Sequence, residues 1–105
     1  MSWIEEGIER GKKLKDAYSI SGLPVFIKDK LPENIDFNFV SKYIERRIPP
    51  RLFKGIDVIY VGQFEDFKRR DINAYFEDGA LYISNEQDDE MDIIDDIVHE
   101  VAHAV

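Results

Sequence analysis

The chain has no cysteine, two histidines, one tryptophan and no run of apolar residues near the roughly 18 that a membrane-spanning helix needs. Without cysteine there is no disulfide framework, no thiolate metal site and no cysteine nucleophile, so redox chemistry leaves the compartment open. The lack of a long apolar run excludes a membrane helix, and the charged N-terminus has none of the apolar core of a secretory signal, so a soluble, cytoplasmic protein is expected. Positive charge is also scarce: 14 Lys and Arg face 22 Asp and Glu, a formal net charge of -8. Lys12-Lys13 with Lys15, and Arg69-Arg70, are short and interrupted by acids. That balance repels phosphate backbones and argues against nucleic acid as a partner.

What is present describes a folded domain. Apolar residues make up 44% of the 105 positions and aromatics 12%, enough for a modest single core, while 34% charged residues fit a soluble surface. Ser2 can cap a first helix reaching about Tyr18, with Trp3 or Ile4, Ile8, Leu14 and Tyr18 as its apolar side and Gly7 and Gly11 weakening it. Residues 19–34, punctuated by Gly22, Pro24 and Pro32, read as a loop or extended connector around the apolar run Leu23 to Ile27, with a short strand as the alternative. From Asp36, a plausible cap, Phe37, Val40, Tyr43, Ile44 and Ile48 recur at helical spacing until Pro49-Pro50 stops the helix. Its Glu45-Arg46-Arg47 cluster reads as a solvated face, with a clamp for a substrate carboxylate as the alternative.

Ile56 to Val61 is β-branched and bounded by Gly55 and Gly62, the pattern of a strand buried on both faces at the centre of a sheet. Gln63 to Arg70 suits a helical turn. Next comes a hairpin whose two-residue Asp78-Gly79 loop fits a type I′ turn, which sets Phe76 opposite Leu81, Ala74 opposite Ile83 and Tyr75 opposite Tyr82. The tyrosine pair reads as cross-strand packing before it reads as chemistry. Residues 86–90 form an acidic run that lacks the ligand alternation and central glycine of a calcium loop, and so reads as the start of a helix.

That last helix, over 89–105, has Met91, Ile94, Ile97, Val98, Val101, Ala102 and Val105 on its expected apolar stripe. His99 and His103 fall on the other side, with Asp92, Asp95 and Asp96. Both histidines of the chain thus stand four apart on a helix, about 40° around the axis and about 6 Å along it, so their imidazoles can converge on one ion. His99-Glu100-Val101-Ala102-His103 is a complete HExxH pattern. A catalytic zinc keeps one of its four positions for water or substrate and takes three from protein, of which two are visible here. Glu100, next to the first ligand, is the carboxylate that such chemistry needs to move a proton from water to a leaving amine. Asp95, one turn before His99, cannot be the third ligand, because residues 95, 99 and 103 span about 12 Å of helix; its charge suits the helix dipole instead.

Residues 73–84, the acidic loop and the segment Ile97 to Ala104 together resemble the small microbial zincins known as minigluzincins, over roughly residues 56–105. The resemblance implies a compact sheet followed by an active-site helix, with His99 and His103 as zinc ligands and Glu100 as general base. It also implies an edge strand, matched in position by Ala80 to Ser84, that pairs with extended peptide, and a later helix supplying a glutamate as third ligand. Nothing follows Val105, so the expectation is one zincin-like domain, 1–105, without that third-ligand helix. The expected fold is α+β, with helices packed on a small, mostly antiparallel sheet and the HExxH helix at the C-terminus. The expected function is zinc-dependent hydrolysis of peptide or protein substrates. Two other readings stand beside it: a non-catalytic protein assembled through zinc shared by His99 and His103 of two chains, and an acidic, metal-free domain that selects a basic partner.

Overall fold

A computed structural model describes residues 17–104, and the first helix expected from Ser2 lies outside them except at its end, where Ala17 and Tyr18 belong to a strand instead. That strand, β1 (Ala17–Ile20), turns through Ser21 and Gly22, both at positive φ (53° and 84°), into β2 (Leu23–Ile27). The run read as a connector is therefore half of a hairpin, and its two-residue Ser-Gly loop is the same signal that marks Asp78-Gly79. Pro24 is tolerated in β2 because the ladder with the next strand begins only at Val25.

Helix α1 (Phe37–Arg47) follows as expected. Asp36 caps it by accepting the Asn38 backbone N–H at 2.9 Å, and Ile48 ends it before the prolines. A 3-10 turn, Pro50–Phe53, leads to β3 (Val58–Gly62), after which come α2 (Glu65–Arg70), β4 (Ala74–Glu77), β5 (Ala80–Ser84) and α3 (Glu90–Ala104). Asp78 and Gly79 both have positive φ, and the expected pairs form: Ala74 with Ile83, Tyr75 with Tyr82, Phe76 with Leu81.

The strands form one five-stranded sheet in the order β1-β2-β3-β5-β4, with β3 at its centre. It is mixed, which corrects the mostly antiparallel expectation: β2–β3 and β3–β5 are parallel and only the outer pairs, β1–β2 and β4–β5, are antiparallel. Once 23–27 is a strand, the helix between it and β3 makes a crossover, and a crossover joins parallel neighbours. A second correction follows, since β5 lies between β3 and β4 and the edge of this half of the sheet is β4.

Alternation sorts the sheet into two faces. Val25, Ile27, Ile59, Val61, Leu81 and Ile83 point to one side, where they join Phe37, Val40 and Ile44 of α1 and Ile93, Ile94, Ile97 and Val101 of α3 in the buried core. On the other side Phe26, Tyr60, Tyr82 and Tyr75 form a row across four strands, with successive ring centroids 6.0, 5.5 and 4.6 Å apart. Phe64 and Phe67 cap this row edge-on, against Tyr82 and Tyr75 at 5.1 and 5.7 Å. The tyrosine pair is thus part of a packed aromatic layer. Burial there pushes the hydroxyl pKa values of Tyr60, Tyr75 and Tyr82 up.

Both core helices run antiparallel to the three parallel strands. At one end Asp36, the cap of α1, donates its N–H to Glu90 Oε2 of α3 at 3.0 Å. At the other, Ser21 in the first hairpin turn donates its N–H to Glu45 Oε2, near the end of α1, at 2.7 Å. The helices therefore lie side by side in the same direction, and the 3-10 turn that follows α1 packs against α3. Among the described residues no helix is long and apolar enough to cross a membrane.

Candidate functional site

Helix α3 starts where the acidic run provides acceptors for backbone amides. The Asp92 N–H donates to Asp89 Oδ1 at 3.0 Å and the Asp88 N–H to Asp92 Oδ2 at 3.2 Å, while Asn34 Nδ2 reaches the Asp88 carbonyl at 2.8 Å. Glu90 and Asp92 also place charge in the first turn, where the dipole favours it. The run begins a helix, as expected, and the structure adds that Glu90 ties this helix to the cap of α1.

The buried stripe of α3 is Ile93, Ile94, Ile97 and Val101. It differs from the expected stripe: Ile93 joins it, while Met91, Val98 and Ala102 are exposed. The helix sits in the angle between the sheet and α1, and this turns the position of deepest burial toward 93 and 97. One flank of the stripe is then Glu100, half-buried, and beyond it on the solvent side stand His99 and His103. Their ring centroids are 4.5 Å apart with planes 52° to one another. The i, i+4 spacing has delivered what it promised locally, two imidazoles side by side with a carboxylate between the same turns.

One turn earlier, half-buried Asp96 accepts from Gln87 Nε2 at 2.9 Å, and the same amide nitrogen donates to the Ser84 carbonyl at the end of β5, also at 2.9 Å. Burial pushes the Asp96 carboxyl above the usual range. The Gln87 bond and nearby His99 pull it back, while Asp92 and Asp95 push it further up. Gln87 thus pins the helix to the sheet close to the histidines, a link with no signal in the sequence. Asp95 is exposed and belongs to neither arrangement.

Two nitrogen donors suit zinc, and they supply two of the three protein ligands that a catalytic zinc takes. Among the described residues no group of three or more His, Cys, Asp or Glu side chains is arranged to hold one ion. His99 and His103 therefore fit part of a zinc site. The strand bordering α3 on its outer side is β4, which among the described residues is paired along one edge only.

Comparison of the chain with protein-family models, with curated proteins and with solved structures finds no match to any of them. His99, Glu100 and His103 carry the chemical reading by themselves.

Proposed function

We propose that this chain is a zinc-dependent peptidase of the HExxH type, resembling the minigluzincins. The observation that supports the reading is the pair of adjacent, solvent-facing imidazoles of His99 and His103, on the helix that also carries Glu100. The two histidines would hold the ion through their ring nitrogens, and a third ligand would come from outside this pair. Bound zinc supplies positive charge that lowers the pKa of water to near 7 and polarises a carbonyl. Glu100 would take the proton of the attacking water and hand it to the leaving amine. The edge of β4 that no described strand covers would pair with an extended peptide and lay it beside α3 through main-chain hydrogen bonds.

The test is a pair of variants assayed for peptide hydrolysis and zinc content. Glu100→Gln should keep zinc and lose hydrolysis, by a factor of at least about 100, the usual contribution of general acid–base catalysis; His103→Ala should lose the metal as well. Hydrolysis by Glu100→Gln at the parent rate would refute the role given to that carboxylate.

The exposure of both imidazoles also supports a second reading, in which two chains share one zinc through four histidines. Zinc-dependent dimerisation without hydrolysis distinguishes it.

A further inference from the structure

Acidic and basic side chains are used differently at the two ends of the molecule. Asp29, Asp36, Asp88, Asp89 and Glu90 gather where the parallel strands end and both core helices begin, and most of them accept backbone N–H groups there. At the opposite end, the last turn of α1 and the 3-10 turn carry Arg46, Arg47, Arg51 and Lys54, all exposed. In a chain with 22 acids, none of these four makes an ion pair among the described residues, where the pairs are Lys28–Asp29 and Arg69–Asp66. Arg47 instead lies 3.8 Å over the Tyr43 ring, and Glu45 is taken by the Ser21 amide. The dipole of α1 accounts for the two arginines in its last turn but not for Arg51 and Lys54 beyond it.

This end is also where α3 finishes. His103 lies 13 residues past Glu90, about 20 Å along the helix, which exceeds the roughly 16 Å length of a five-residue strand. The 3-10 turn packs on the same helix. The cations therefore lie on the α1 side of the C-terminal half of α3, while Asp57, whose N–H donates to the Gly79 carbonyl, stands with the Asp78-Gly79 turn at the start of β5.

We infer that this end of the molecule binds an acidic peptide segment, whose carboxylates sit against Arg46, Arg51 and Lys54, on the α1 side of the helix that carries His99 and His103. Taking the polymer as peptide rests on the peptidase reading. The cations are placed by the fold, independently of zinc. The negative field of the rest of the chain opposes a nucleic acid and leaves a short carboxylate-bearing segment, reached from one side, as the anion that fits. Arg binds such carboxylates in bidentate fashion.

The experiment is fluorescence anisotropy with labelled acidic, neutral and basic peptides of equal length, and a single-stranded oligonucleotide, with chelator present and at low and high salt. The acidic peptide should bind at least about tenfold tighter than the neutral one, and salt should weaken the difference. Arg46→Gln/Arg51→Gln/Lys54→Gln should abolish that preference, whereas Arg69→Gln/Arg70→Gln, a comparable charge change elsewhere, should keep it. Equal affinity for acidic and neutral peptides would overturn the inference, as would an unchanged preference in a triple variant that still melts cooperatively, or tighter binding of the oligonucleotide. Acidic preference without zinc hydrolysis would leave this surface standing and remove the peptidase; hydrolysis without acidic preference would do the reverse.

Discussion

Asp29 shows how a single carboxylate can be assigned a stabilising role with a definite pH range. Its Oδ2 accepts the Gln63 backbone N–H at 2.7 Å and pairs with Lys28 Nζ at 2.9 Å. Burial alone would raise its pKa, but those two partners outweigh burial and hold it below 3.8. The folded carboxyl thus releases its proton more readily than the unfolded one. Its contribution is complete above 3.8 and is lost as pH falls through the lower folded value. Asp29→Asn should therefore be less stable than the parent in denaturant melts at pH 7, and the gap should close on acidification below that range. Gly62 depends on the same residue, since a Cβ there would come within 2.7 Å of Asp29 Oδ2 and 2.9 Å of Lys28 Cβ. In the core, Ile97 is fully buried between sheet and helix; Ile97→Ala should cost about 2–5 kcal/mol in the same melts. Much at this scale was legible in the sequence. Asp36 is the cap it reads as, and the Asp78-Gly79 turn fixes the three cross-strand pairs, because a two-residue loop leaves one register. The exposure of Met91 and Val98 was not legible, since the direction a helix faces depends on what it packs against, and Ile93 and Ile94 are equally apolar neighbours on it.

Among the elements, β3, α1 and α3 announce themselves through composition, spacing and stop signals, whereas the way strands join does not. Whether β2 pairs with β3 in parallel depends on the crossover between them, and the Ser21-Gly22 turn that opens it is flanked by only four strand residues on one side. Reading that segment as a connector removed one strand and with it the parallel centre. The edge role for β5 was implied by the family resemblance and does not hold, since β5 is hydrogen-bonded on both sides. The start of α3 has its own test. Asp89 accepts the N–H three residues on, as an N-cap does, and Asp89→Ala should destabilise the protein by about 0.5–2 kcal/mol, with hydrogen exchange accelerating first at residues 90–93. Equal protection there would mean that the bonds from Gln87 and Asp36 hold the helix end without its cap.

For the molecule as a whole, the fold puts amide-binding acids at one end and, at the other, four cations that make no ion pair among the described residues, together with the C-terminal half of the motif helix. The sequence showed the HExxH pattern and the Arg46-Arg47 pair but not that α1 and α3 run side by side in the same direction, which is what puts both at one end of the molecule. It did not show a third zinc ligand either, and none stands with His99 and His103 among the described residues. Zinc binding is therefore the property on which the peptidase reading depends. The most direct measurement is calorimetric titration of zinc into the purified chain, its His99→Ala and His103→Ala variants, and a matched sample followed for oligomeric state. The account predicts saturable binding, one zinc per monomeric chain, abolished by either substitution. One zinc per two chains with dimerisation would mean a shared structural site, and no binding, or binding indifferent to both histidines, would contradict the zinc assignment outright.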